Sequence, residues 1–123
     1  MSENKVILIV DDSPTLRDML TIALSDEGFK VVQAADGCEG VGMLKNVDPD
    51  VIITDINMPR LDGFQFIEEV RKDPRHRATP ILVLTAESSP EMKDRAHKAG
   101  ATGWIVKPFD PEKLIEVFRR IGA

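Results

Sequence analysis

The chain has 123 residues, 42% of them apolar and 30% charged, with a net charge of -5. This size and balance read as one globular domain, residues 1-123, that buries a core without disulfides or structural metal. The acidic balance argues against nucleic acid or an anionic membrane as a partner, and the single cysteine, Cys38, excludes an internal disulfide and fits a reducing compartment.

Val6-Ile7-Leu8-Ile9-Val10 is an unbroken apolar run that leads into Asp11 and Asp12. Runs of this kind predict strands buried on both faces, as in a parallel sheet. Ser13 caps the first helix with Pro14 at its first position. Leu16, Met19, Leu20, Ala23 and Leu24 follow helical spacing, and Gly28 closes the helix. Lys30 to Ala34 is a weaker, polar-flanked strand suited to a sheet edge. A short helix carrying Val41, Leu44 and Val47 on one face ends before Asp48-Pro49.

Val51-Ile52-Ile53-Thr54 forms the third strand and runs into Asp55. The third helix begins near Gly63, buries Phe64, Ile67 and Val70, and stops at Asp73-Pro74. Ile81-Leu82-Val83-Leu84 reaches Thr85. The fourth helix opens at Ser89-Pro90 with a thin apolar stripe of Met92, Ala96 and Ala99. Trp104-Ile105-Val106 reaches Lys107-Pro108, and the last helix opens at Asp110-Pro111 with Leu114, Ile115, Phe118 and Ile121 inward. No run approaches a membrane span, and the N-terminal residues carry no signal-peptide pattern, so the expected location is cytoplasmic.

Five strands alternating with five helices predict a doubly wound α/β fold, a five-stranded parallel sheet with helices on both faces. The flavodoxin-like order 2-1-3-4-5 is the expected one, and it makes the ends of strands one and three neighbours. Ligands of open α/β sheets sit at the carboxyl ends of the strands. That edge would collect Asp11, Asp12, Asp55, Thr85 and Lys107. Carboxylates packed this closely repel one another and need a counterion. Mg²⁺ suits such a site, because it prefers a few carboxylate oxygens, retained waters and a phosphate oxygen. A carboxylate there can also attack phosphorus to form an acyl phosphate. Lys107 and Thr85 would then neutralise and hydrogen-bond the phosphoryl oxygens, since phosphoryl transfer asks mainly for positioning and charge.

The motifs Asp11-Asp12, Asp55 with Met58-Pro59 and Asp62-Gly63, Thr85-Ala86, and Lys107-Pro108-Phe109 closely resemble the receiver domains of bacterial response regulators. The resemblance covers the whole chain. It implies that Asp55 accepts a phosphoryl group from a histidine kinase, and that Asp11 or Asp12 joins Asp55 around Mg²⁺. It also implies that the backbone carbonyl of Asn57 completes the metal site, that Thr85 and Lys107 contact the phosphoryl group, and that the Lys107–Pro108 peptide is cis. Asn57 and Glu87 fall at positions expected to tune dephosphorylation. The switch aromatic of the family, usually Tyr or Phe, is Trp104 here. With no output domain expected, the chain looks most like chemotaxis regulators that bind a flagellar motor switch. The partner face would be the fourth helix, fifth strand and fifth helix, and a phosphatase or phosphotransfer protein is a further partner.

Two other functions use similar residues. A phosphorelay shuttle would pass its phosphoryl group to a histidine phosphotransfer protein. A Mg²⁺-dependent aspartyl-phosphate hydrolase would show Asp-x-Asp after the first strand, whereas Asp11 and Asp12 are adjacent. The basic stretch Arg71-Lys72 and Arg75-His76-Arg77 lacks interleaved aromatics and reads as a solvated helix end and loop, with His76 exposed. His97 is expected on a solvated helix face, and Cys38 in a small site near a helix start.

Overall fold

Alternating apolar runs and capped helices give the chain order β1 (Val6–Val10), α1 (Pro14–Asp26), β2 (Lys30–Ala34), α2 (Gly37–Met43), β3 (Val51–Thr54) and α3 (Gly63–Lys72). A 3₁₀ turn, Pro74–His76, then leads to β4 (Ile81–Thr85), α4 (Pro90–Ala99), β5 (Gly103–Val106) and α5 (Pro111–Arg120). The computed structural model describes residues 5–86, 89–108 and 110–120. Glu87, Phe109 and Ile121, used in the sequence reading, lie outside the described residues.

All four pairings are parallel, in the order β2-β1-β3-β4-β5. The expected order and the edge position of β2 are both observed. The strand residues alternate between two cores, which is why their apolar runs are unbroken. Leu8, Val10, Ile52, Ile81 and Val83 meet Phe64, Phe66, Ile67, Val70 and Ala96 on one face. Ile7, Ile9, Val51, Ile53, Leu82 and Leu84 meet Leu20, Leu24, Leu114 and Phe118 on the other. Thus α2, α3 and α4 cover one side, and α1 and α5 the other.

The helix starts follow their capping chemistry. The side chains of Ser13, Asp36, Asp62 and Ser89 accept N–H bonds from the first turns of α1, α2, α3 and α4. Asp62 and Gln65 form a reciprocal capping box that fixes where α3 leaves the loop after β3.

Several expectations need correction. The second helix ends at Met43, so Leu44 is its cap and Val47 lies in the following turn, where its N–H bonds Met43 O at 2.9 Å. Met19 is exposed, because the buried stripe of α1 narrows to Leu20 and Leu24. Cys38 is exposed rather than tucked into a small site.

The basic stretch is solvated only in part: Lys72, Arg75 and Arg77 are exposed as expected, but Arg71 and His76 are not. His76 is 2% exposed, with Nδ1 3.1 Å from Thr79 Oγ1. Arg71 is half-buried and donates to the backbone carbonyls of Gly100, His76 and Thr79 at 2.7 to 3.0 Å. Arg75 donates to Leu44 O and pairs with Asp73 and Asp48. These side chains satisfy carbonyls where helix and strand ends meet, a structural use that a charge count does not distinguish from solvation. Among the described residues, no helix is long and apolar enough to cross a membrane.

Candidate functional site

Asp11, Asp55, Thr85 and Lys107 stand where apolar runs stop and the chain leaves the sheet. The register pairs Val10 with Thr54 and Thr85 with Val106. Asp11 and Asp55 therefore emerge side by side, and Lys107 follows the residue opposite Thr85. Asp55 N–H donates to Val10 O at 3.0 Å, and Lys107 N–H donates to Thr85 O at 2.8 Å, so the main chain carries this alignment past the strand ends.

The side chains converge. One carboxylate oxygen from each of Asp11, Asp12 and Asp55 lies within 4.8 Å of the other two. Asp11 and Asp55 are buried, and Asp12 is exposed. Asp11 Oδ1 accepts the Ser13 N–H at 2.9 Å, and Asp55 Oδ1 accepts the Ile56 N–H at 2.7 Å. Those bonds fix both carboxylate planes and leave Oδ2 of each facing Lys107. The Lys107 ammonium donates to Asp11 Oδ2 at 3.1 Å and to Asp55 Oδ2 at 3.2 Å.

Burial holds the Asp11 carboxyl above its ordinary value, against the Ser13 N–H and Lys107, which pull it down. Burial also pulls Lys107 down, yet the hydrogen bond and charge of Asp11, joined by Asp55, leave its ammonium above its ordinary value. Two carboxylates thus share one cation, and the more deeply buried acid remains undercompensated. The donor set is hard oxygen of high negative charge, which fits a divalent cation such as Mg²⁺. Lys107 already occupies part of that role as a point charge on a flexible stem.

Thr85 is fully buried at the end of β4, on the same edge. Asn57 is exposed, two residues beyond Asp55. Trp104 is partly buried on the edge strand β5, and its indole N–H has no hydrogen-bond partner among the described residues. A cleft of about 110 Å³ opens beside it, lined by Lys93, Ala96, His97 and Thr102. His97 is exposed there, as expected. The Lys107–Pro108 peptide is cis.

The loop after Asp55 is shaped by close contacts. Gly63 N–H donates to Ile56 O at 2.9 Å, and a Cβ on Gly63 would lie 2.2 Å from Asp55 O. Only glycine lets the first turn of α3 press so tightly on the chain that carries Asp55. Sequence reasoning missed a contact on the same loop. Arg60 adopts a left-handed φ of 68° and pairs with Asp36, the cap of α2. The two are 24 residues apart, and no local signal in the sequence joins them.

A flavodoxin-like sheet that gathers carboxylates, a hydroxyl and an ammonium at its carboxyl edge defines an α/β protein whose strand-end donors suit a hard cation. The chain belongs to the response regulator receiver domain family, which matches residues 7–119. It is 40% identical to chemotaxis protein CheY-3 of Vibrio cholerae, over 98% of this chain and 97% of that protein. The structure of Vibrio cholerae CheY4 superposes with a TM-score of 0.91 at 45% identity, covering 95% of this chain and 98% of the other. The receiver domain of a Pseudomonas aeruginosa sensor histidine kinase, solved with a magnesium ion coordinated in its active-site cleft, gives a TM-score of 0.89 at 30% identity over 98% and 99%. The chain spans about half, 48%, of another relative, the DNA-binding transcriptional regulator RpaA of Synechocystis, at 36% identity over 94% of this chain.

Proposed function

We propose that the protein is a phosphorylation-dependent switch of two-component signalling, with Asp55 as the phosphoacceptor. The observation that carries this reading is the Lys107 ammonium bridging Oδ2 of Asp11 and Asp55 beside a third carboxylate. Asp55 Oδ2 attacks the phosphorus of a phosphohistidine, the phosphorus–nitrogen bond breaks, and the electron pair leaves with the imidazole. Asp11, Asp12 and Asp55, with the Asn57 carbonyl, would hold Mg²⁺, which offsets the charge of the phosphoryl oxygens. The magnesium-bearing receiver relative supports that assignment.

Lys107 then follows the phosphoryl oxygen, and Thr85 donates its hydroxyl to another. Trp104, two residues past the cleft-lining Thr102, responds to the space Thr85 vacates and turns its unpartnered indole N–H toward a new environment. The readout is changed affinity for partner proteins across α4, β5 and α5. Near full-length similarity to chemotaxis regulators favours a flagellar motor switch as the target. Asn57 and Glu87 tune how long the phosphoryl group survives.

Incubation with a small acyl or amido phosphate and Mg²⁺ tests the reading by intact mass. One base-labile phosphoryl group should appear, vanish with chelator, and be absent from Asp55→Asn. Full labelling of that variant would refute the assignment.

A further inference from the structure

The acidic edge has a second cationic side chain on its rim. Arg60 lies five residues past Asp55, in the loop that closes onto Gly63. It is the one non-glycine residue with a positive φ among the described residues, so the chain turns there in a way most side chains avoid. Its side chain is 64% exposed, and its guanidinium is paired through one nitrogen: Nη2 bonds Asp36 Oδ2.

Asp36 is itself held in place. It stands two residues beyond Ala34, which pairs with Val10 and accepts the Asp11 N–H at 3.1 Å. Its Oδ1 accepts the Glu39 N–H at 2.9 Å, fixing the carboxylate as the cap of α2. The Glu39 N–H bond, then Arg60, keeps its carboxyl below the ordinary range, so it stays ionised. Glu39 adds negative charge nearby, but its Oε1 is engaged by the Ala35 N–H at 3.1 Å. The loop also rests on α2 directly, because a Cβ on Gly37 would lie 2.5 Å from Leu61 O.

An arginine is always charged, and its fork of donors matches carboxylates better than an ammonium does. Along this edge Asp11, Asp12 and Asp55 already lie close enough to hold a metal, while Asp62 Oδ1, two residues past Arg60, is engaged by the Gln65 N–H at 2.9 Å. We propose that Asp36 diverts Arg60 away from the acidic pocket, which makes the Asp36–Arg60 pair a positioning device that keeps the pocket open to a divalent cation. The inference deepens the magnesium-dependent reading and rests on it. Arg60 touches neither metal nor phosphoryl group in this role; it acts by where it is held.

A double-mutant cycle tests the pair. Asp36→Asn removes the charge but keeps a good helix cap, and Asp36→Ser serves if the first variant folds poorly. Arg60→Gln removes the competing guanidinium. Mg²⁺ affinity is read by calorimetry on unphosphorylated protein. Asp36→Asn should weaken it about fivefold, the scale of one exposed charge pair. Arg60→Gln should change wild type less than about twofold, yet restore most of the loss in the Asp36→Asn background. An equal effect of Arg60→Gln in both backgrounds would mean that only the summed field matters, and would overturn the proposal.

The metal-free protein gives an independent readout. In the Asp36→Asn background, the Arg60 Nε–H resonance should move when Asp55→Asn is added, and it should not move in wild type. Indifference in both backgrounds overturns the diversion. Failure of wild type to bind Mg²⁺ would refute the metal reading instead, and these spectra would still decide the pair.

Discussion

Replacing Gly63 by alanine should separate the tight contact behind Asp55 from ordinary helix stability. The added Cβ would meet Asp55 O at 2.2 Å and Ile56 Cα at 2.7 Å, both backbone atoms that cannot rotate aside. Ordinary carbon contacts need about 3.5 Å, so the first turn of α3 must withdraw by roughly 1 Å. Overpacking of this kind costs about 1–3 kcal/mol. The Gly63 N–H to Ile56 O bond, 2.9 Å long, stretches with it and adds about 1 kcal/mol. Gly42 is the control, since a Cβ there meets nothing within 4 Å and the residue is helical. Gly42→Ala should stabilise by up to about 1 kcal/mol through helix propensity. In urea denaturation, Gly63→Ala should lower the midpoint by about 1 M or more at unchanged slope, while Gly42→Ala raises it. Mg²⁺ affinity and phosphoryl uptake should fall only in the first variant. If Gly63→Ala unfolds within about 0.5 kcal/mol of wild type, a scale typical of surface changes, the backbone approach is not what positions Asp55.

Asp11 sets a pH dependence whose sign follows from burial. Its raised value means the folded chain binds that proton more tightly than the unfolded chain, so stability falls as pH rises from 3.8 through the raised value. Asp11→Asn should therefore raise the metal-free melting temperature at pH 7, flatten the acid-side slope and abolish stabilisation by Mg²⁺; an unchanged slope would count against it. Arg71→Ala strips donors from the carbonyls of Gly100, His76 and Thr79 and should cost about 2–4 kcal/mol in urea denaturation. Arg71→Lys should recover less than half of that, because one ammonium cannot replace a fork. Asn57→Lys and Glu87→Lys should each slow loss of the phosphoryl group about tenfold, a barrier change of roughly 1.4 kcal/mol, measured by decay of labelled protein.

What was legible in the sequence was whatever chain-local chemistry dictates. Unbroken apolar runs mark strands covered on both faces, and the polar residue that ends each run marks the sheet edge, so Asp11, Asp55, Thr85 and Lys107 could be placed without coordinates. Ser13-Pro14 and Asp62-Gly63 announced their helix starts for the same reason. The misreadings turned on side-chain contacts and weak local propensity, which neither an apolar run nor a cap announces. His76 is buried because Arg71 bonds its carbonyl and Thr79 lies beside its ring, and nothing in Arg75-His76-Arg77 conveys that. The second helix stops at Met43 because the weak helix formers Gly37, Gly40 and Gly42 leave little propensity to carry it through Leu44 and Val47. Arg60 reads as one more surface charge until Asp36 is found against it.

The three carbonyls gathered by Arg71 also decide how α4 is free to travel. Its C-terminal end is pinned, since both Nε and Nη2 of Arg71 hold Gly100 O, and Ala101 N–H folds back to Ala96 O at 2.9 Å. Thr102 extends the anchorage by bonding Ile81 through its N–H and its hydroxyl. The opposite end, at Pro90, lies just downstream of Thr85; among the described residues it is held by its serine cap and by Met92 resting on the core. A helix held more firmly at its tail than at its head would behave as a lever. With ten residues spanning about 15 Å, a tilt of about 4° carries the head through roughly 1 Å while the tail stays put. Under the proposed switch, a small displacement at Thr85 would be spent on the first turn of α4, and a partner surface there would change most at the end of the helix nearest Asp55.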